Sequence, residues 1–202
     1  MEKGLEKLNI TPKMTQEQLQ KSKKLLLHCC CAPCATAVIE RILPTVKPTL
    51  FYFNPNTYPL DEYEKRLNEL YKLARIYSLE VIAQPYDDAL FYNAVVGLEG
   101  EKEGGKRCEN CIKLRLEQTA RYARANGYDA FTTTLSVSPH KNAHFINKTG
   151  RELSSDGCVY IDADFKKADG FLISTKLTQK YGLYRQNYCG CEFSKRGTDN
   201  DY

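Results

Sequence analysis

The chain has 202 residues, 42% of them hydrophobic and 27% charged, with 29 basic against 25 acidic side chains and a net charge of +4. That apolar share supplies one compact domain and excludes wholesale disorder, while the small charge is too weak to announce a nucleic-acid binder by itself. No apolar run reaches the roughly 18 residues of a membrane span, and the polar opening MEKGLEKLNITPKMTQEQLQKSKK has the pattern of neither a signal nor a transit peptide. The expectation is a cytoplasmic protein without a membrane segment, whose nine cysteines stay out of disulfides.

In chain order, residues 1–23 read as a polar extension with one helix around Thr15 to Lys21, where Thr15 and Gln18 form a capping-box pattern. Residues 24–202 read as the domain. KKLLLHCC is a short buried strand. It breaks at Cys31-Ala32-Pro33-Cys34, where Pro33 suits the first turn of a helix that runs through Ala35–Leu43 and stops at Pro44. PTLFYFNPN is a second strand, ended by two asparagines around a proline. Asp61 to Tyr77 is an amphipathic helix with Tyr63, Leu67, Leu70, Leu73 and Ala74 on one side. Leu79 to Pro85 gives a third strand, Ala89 to Leu98 a helix, and EGEKEGGKR a charged, glycine-rich loop. A long helix starts at Cys108 and closes at Asn126-Gly127. Tyr128 to Thr134 is a fourth strand, followed by the loop LSVSPHKN and a helix from about Asn142 to Ser154.

The order β-α-β-α-β-α-α-β-α predicts a single α/β domain, an open and mostly parallel sheet with flanking helices. Ligands of such sheets collect at the carboxyl ends of the strands. Four segments are expected to converge there: cysteines 29–34, Asn54-Pro55-Asn56, Tyr86-Asp87-Asp88, and Thr132 to His140.

The cysteines stand at 29, 30, 31, 34, 108, 111, 158, 189 and 191, and eight of the nine fall in CCCAPC, CENC and CGC. Core cysteines would be scattered on the periods of helices and strands, so three tight groups point to one site assembled by folding. A CxxC alone is shared by zinc knuckles, redox dithiols and iron–sulfur sites. Cys31 and Cys34 open a helix after a strand, as a redox pair does, yet a dithiol uses only two cysteines. Cys108 and Cys111 begin a helix, where the dipole favours thiolate. The one-residue spacing of Cys189 and Cys191 suits two neighbouring metals better than one tetrahedral zinc, and Gly190 lets the backbone pass close to a cluster. Setting Cys29 and Cys158 aside leaves Cys30, Cys31, Cys34, Cys108, Cys111, Cys189 and Cys191. One structural zinc takes four ligands. Seven fit one closed cluster and one metal with an open, catalytic position.

The segments LLLHCCCAPC, FYFNPN, CENC followed by Arg115, TTTLSVSPHKN, DADFKK and YRQNYCGC resemble, in this order, the QueH-type epoxyqueuosine reductases, from about residue 24 to 193. The resemblance implies a fold similar to the adenine nucleotide α-hydrolase or PP-loop (HUP-like) group. It also implies reduction of the epoxide of epoxyqueuosine to queuosine in a tRNA anticodon, independent of cobalamin. The implied cofactors are a [4Fe-4S] cluster and an adjacent mononuclear iron, fed by an external low-potential donor of ferredoxin or flavodoxin type. It places cluster and iron among Cys30, Cys31, Cys34, Cys108, Cys111, Cys189 and Cys191; our partition puts Cys30, Cys108, Cys111 and Cys189 on the cluster and Cys31, Cys34 and Cys191 on the iron, with neighbours such as Cys30 and Cys31 open to exchange. Cys29 then reads as a buried strand residue and Cys158 as an inert buried thiol.

Among the polar residues, Asp164 is expected to donate a proton, ligate metal or orient a ligand. His28 reads as a satisfied core histidine, and His140 as a rim residue or a cap of the next helix. Asn54 and Asn56 suit the substrate's diol or a base edge, and Tyr184, Arg185 and Gln186 suit reading of base or phosphate. Lys141, Lys166 and Lys167 suit phosphate, within a basic run that continues through Lys176, Lys180, Lys195 and Arg196. Tyr184 and Tyr188 are the candidates for stacking a base. Two rivals stand beside this reading. A PP-loop-like tRNA thiolation transferase needs a phosphate loop where Cys30 to Cys34 stand, and a zinc-stabilised RNA-binding module leaves several cysteines unexplained.

Overall fold

The computed structural model describes residues 13–195. Residues 1–12 of the extension and Arg196 of the basic run lie outside the described residues. The chain runs α1 (Lys13–Lys21), β1 (Leu25–His28), α2 (Ala32–Ile42), β2 (Pro48–Tyr52), α3 (Leu60–Tyr77), β3 (Val81–Ala83), α4 (Ala89–Val95), α5 (Lys106–Ala125), β4 (Ala130–Thr133), α6 (Ala143–Glu152), β5 (Val159–Tyr160) and α7 (Gly170–Lys180). The five strands are ordered β3-β2-β1-β4-β5 and every pair is parallel.

A parallel sheet is covered on both faces, so its strands are apolar throughout and alternate residues feed opposite cores. Leu25 and Leu27 of β1 join Leu50 and Tyr52 of β2 in a core shared with Val38, Ile39 and Ile42 of α2 and Leu70 and Leu73 of α3. Leu26, Phe51 and Phe131 face the other way, onto Ile112, Leu116 and Ala120 of α5 and Ile146 of α6. Each such side chain contributes about 1.5–3 kcal/mol on leaving water. Cys29, fully buried in the first core, and Cys158, buried in the second, are packing residues as expected.

Two elements were not predicted. Strand β5 is two residues long. Helix α7 buries Gly170, Ser174 and Thr178, so its inward face carries small polar residues at a spacing of four and no apolar stripe announces it. Those small side chains bring it close to α2: the Ser174 hydroxyl donates to the Pro33 carbonyl at 2.6 Å, and the Thr36 hydroxyl donates to the same oxygen at 2.8 Å. The turn before α7 is held by Arg41 of α2, whose guanidinium donates to the carbonyls of Phe165, Lys167 and Ala168.

Gly170 admits no side chain, because a Cβ there would lie 1.7 Å from the Phe165 carbonyl oxygen and 2.9 Å from Arg41 Nη1. Gly170→Ala is therefore expected to destabilise the fold by about 3 kcal/mol, lowering Tm on the order of 10 °C. A thermal melt that leaves Tm unchanged would contradict this packing.

Candidate metal centre

In the order 3-2-1-4-5 the chain reverses direction across the sheet between β1 and β4. The carboxyl ends of these two strands open the crevice where such folds hold ligands. Cys29, Cys30 and Cys31 continue β1 into this crevice, and Thr134 continues β4 beside them. The Cys30 amide donates to Thr134 Oγ1 at 3.1 Å, and that hydroxyl donates back to Cys30 Sγ at 3.3 Å. The sulfurs of Cys30 and Cys31 are 3.9 Å apart, and with Cys34 all three lie within 4.8 Å of one another. Hydrogen bonds from Cys31 and Cys34 pull the Cys30 thiol well below its usual range, and donating them pushes the other two up, Cys31 to about 12.

Cys108 and Cys111 lie on the first turns of α5, and Cys189 and Cys191 on the loop after α7. These four close on a small cavity of about 40 Å³ shared with Asn56, Arg115 and Lys141. A larger cavity of about 400 Å³ opens next to it, walled by Cys30, Cys31, Cys34 and Cys189 with His140, Lys141, Arg185 and Gln186. Cys189 lines both. The seven thiols predicted as ligands thus meet on one rim, in a set of three and a set of four. Cys30 touches each set, since it shares the field of Arg115 with Cys111, Cys189 and Cys191.

Two cations, the buried Arg115 and the half-buried Lys141, compensate this sulfur. Lys141 Nζ donates to Cys189 Sγ at 3.3 Å. Burial disfavours its ammonium, yet the Cys189 and Cys30 thiolates together hold its pKa above the usual lysine range. Arg115 donates from Nε to the Cys111 carbonyl at 3.1 Å. Cys111 itself is pushed up to about 11, burial outweighing the arginine.

The Cys189–Cys191 loop is clamped from α3. Arg66 pairs with Glu62 at 2.7 Å and donates to the carbonyls of Cys189 and Tyr188. Gly190 has φ +138, and a Cβ there would meet Asn56 Nδ2 at 3.0 Å and Arg66 Nη1 at 3.1 Å. The glycine is needed for that squeeze between Asn56 and Arg66.

The other predicted residues divide. Asn56 lines the smaller cavity with its Oδ1 buried and unpaired, and Asn54 donates to the Cys29 carbonyl while its own Oδ1 is unpaired. His140 lines both cavities, and the cap of α6 is Asn142, which accepts from the Phe145 amide. Lys166 donates to the Lys141 carbonyl at 2.8 Å, and Lys167 is exposed. Asp164 sits in the turn after β5, accepting from the Lys166 amide, and lines neither cavity. Tyr184 is tied to α3 by its hydroxyl on Glu62, with Lys65 Nζ 3.5 Å from its ring centre. The Tyr86-Asp87-Asp88 turn also falls outside both cavities, because β3 is the outer strand, two places from the crevice. Arg66 and Arg115 carry the site without having been assigned roles from sequence. The available signal was a charged residue on the apolar side of an otherwise amphipathic helix.

His28 is fully buried behind the thiols, its Nε2 donating to the Phe53 carbonyl at 3.2 Å and its Nδ1 accepting from Thr133 at 2.8 Å. Burial, then Arg115, depresses its pKa from 6.5 to about 4.

A parallel α/β sheet with a rim of seven cysteines at its switch point and two cations among them defines a thiolate-metal protein of PP-loop-like fold. The family model described as epoxyqueuosine reductase QueH matches residues 25–197. Curated relatives bearing that name include one from Histophilus somni, 36% identical over 87% of this chain and 74% of its own, and one from Thermotoga maritima, 38% identical over 84% and 89%. Among solved structures, the U34-tRNA thiolase NcsA from Methanococcus maripaludis with its [4Fe-4S] cluster shares the fold, with a TM-score of 0.53 over 90% of this chain and 67% of that one at 13% identity. The chain belongs to the QueH epoxyqueuosine reductase family, a family of oxidoreductases.

Two outcomes follow. Gly190→Ala is expected to lower bound iron and sulfide severalfold while the far-ultraviolet spectrum stays native, since it displaces the Cys189–Cys191 loop. For His28, the unfolded chain binds the extra proton between pH 6.5 and 4, so stability falls as pH drops through that window. Denaturation at pH 5.5 should show a loss of about 1.4 kcal/mol relative to pH 7.5 from this site, and His28→Gln should remove that part of the pH dependence.

Proposed function

We propose that this chain reduces the epoxide of epoxyqueuosine in a tRNA anticodon to the alkene of queuosine, in the cytoplasm. The observation that carries the reading is the meeting of seven soft sulfur donors on one rim, beside a cavity open to a substrate. That donor set fits iron and iron–sulfur centres. We assign Cys30, Cys108, Cys111 and Cys189 to a [4Fe-4S] cluster and Cys31, Cys34 and Cys191 to a single iron. The field of Arg115 reaches Cys30, Cys111, Cys189 and Cys191 alike, so it ties the two groups together without dividing them. When bound, such a cluster supplies electrons singly, and an iron with an open position acts as a Lewis acid toward oxygen.

The reaction consumes two electrons and two protons: the two C–O bonds of the epoxide break, a C=C bond forms, and the oxygen leaves as water. The electrons come from an external low-potential donor of ferredoxin or flavodoxin type. The chain's own side chains bind, orient and deliver protons. Lys141 and Arg115 hold positive charge among the thiolates and oppose the build-up of negative charge as electrons arrive. His140, on the wall of both cavities, is placed to hand a proton to the departing oxygen, with Lys141 behind it. The unpaired Oδ1 of Asn56 offers an acceptor to a substrate hydroxyl.

Anaerobic reconstitution, with tRNA carrying epoxyqueuosine and a low-potential reductant, tests this reading. A brown protein converting the nucleoside is expected. Cys108→Ser should lose the visible cluster absorbance, whereas Cys34→Ser should keep it, bind one iron fewer and turn over nothing. A colourless protein holding stoichiometric zinc, or an intact iron protein without conversion, would defeat the assignment.

A further inference from the structure

Both tyrosines expected to stack a base have their hydroxyls tied down. Tyr184 is pinned between Glu62 and Lys65. Tyr188 donates to the Tyr58 carbonyl at 2.7 Å, and the charged groups of Arg66 and Lys195 stand 4.9 and 5.5 Å from its ring centre. Tyr188 shares the lining of the larger cavity with a second aromatic, one that has no hydroxyl to tether it. Phe171, on the first turn of α7, is 42% exposed and lines the same wall as Cys30, Cys31, Cys34 and Gln186. Its ring carries the Arg185 guanidinium 4.8 Å from its centre. The position is fixed: one turn of α7 later, Ser174 bonds the Pro33 carbonyl inside the Cys31–Cys34 segment, and Gly170 is wedged on Phe165. A large apolar ring held at 42% exposure by so rigid a mount, beside a polar cavity, has no role in the core.

Gln186 supplies an independent observation. Its Oε1 is buried and has no hydrogen-bond partner, although the residue lines this cavity. A buried acceptor without a partner is costly, and it is relieved by a ligand that presents an N–H donor. The ligand this wall suits is therefore flat and apolar on its face, anionic on one side and N–H-bearing on its edge. An unpaired nucleobase with its phosphate has those properties.

We infer that Phe171 and Arg185 form a stacking platform for an unpaired nucleobase of the RNA substrate, and that Gln186 reads an N–H on that base's edge. This rests on the tRNA reading above and adds the residues that position the nucleotide at the thiol cavity. Phe171 is thus a positioning residue, and its loss should change KM and leave kcat alone.

The test uses the iron-loaded protein, kinetics on tRNA carrying epoxyqueuosine, and fluorescence anisotropy with an anticodon stem-loop RNA. Phe171→Ala should raise KM and weaken RNA binding on the order of tenfold, the effect of one lost stack, with kcat within about twofold and iron content unchanged. Phe171→Trp should restore both. Gln186→Leu should weaken binding severalfold, and Leu172→Ala, whose side chain is 49% exposed outside the cavity, should change nothing. An unchanged KM and Kd in Phe171→Ala would overturn the inference, as would a fall in kcat at constant KM. Wild-type protein that binds RNA through Phe171 yet converts nothing would sink the proposed reaction and leave the platform standing. Wild-type protein that neither binds nor converts would sink both.

Discussion

The contact between Lys141 and Cys189 sets the terms for the rest of the site. Sulfur ligands are useful only as thiolates, and thiolates crowded in a poorly hydrated crevice repel one another. Two cations, one buried and one half-buried, make the crowding tolerable. Burying a charge without a partner is costly, so the lysine and the thiolates stabilise each other's ionised forms, and Arg115 extends the same balance to Cys30, Cys111 and Cys191. The cations are placed by different means: Arg115 is fixed by the long helix α5, whereas Lys141 comes from the loop after β4. Lys166 steadies that loop by donating to the Lys141 carbonyl.

The parallel sheet explains why the thiols meet at all. Its strands β1 and β4 are neighbours although their paired residues, Leu25 with Ala130 through His28 with Thr133, lie 105 positions apart in the sequence. Their shared carboxyl end is where the chain turns outward in opposite directions, leaving a crevice that neither crossover fills. The helices then act as mounts. Helix α2 carries Cys34, α5 carries Cys108 and Cys111, and α3 clamps the Cys189–Cys191 loop through Arg66.

Much of this was legible in the sequence, and the exceptions have physical causes. Four strands and the long helices announced themselves through apolar runs and periodicity, and the gathering of seven thiols at one crevice through cysteine spacing. Helix α7 escaped because its buried face is Gly170, Ser174 and Thr178, residues chosen for close approach and hydrogen bonding. Tyr184 was misplaced because a motif's neighbours in sequence need not share its cavity: residues 185 and 186 face the thiols while Tyr184 turns back to Glu62. Phe171 went unnoticed because an exposed phenylalanine has no sequence signature. Asp164 and the Tyr86–Asp88 turn stand away from both cavities for the plainer reason that their strands or turns end elsewhere on the sheet.

The carbonyl of Pro33 receives the hydroxyls of both Thr36 and Ser174, and this small junction has a bearing on assembly. It joins the earliest cysteine segment to a helix emerging some 140 residues later, and the last ligands come later still. The contributing runs must close long loops before any complete sulfur cage exists. The set of seven thiols is therefore complete only once the segment after α7 has docked on α3 through Arg66.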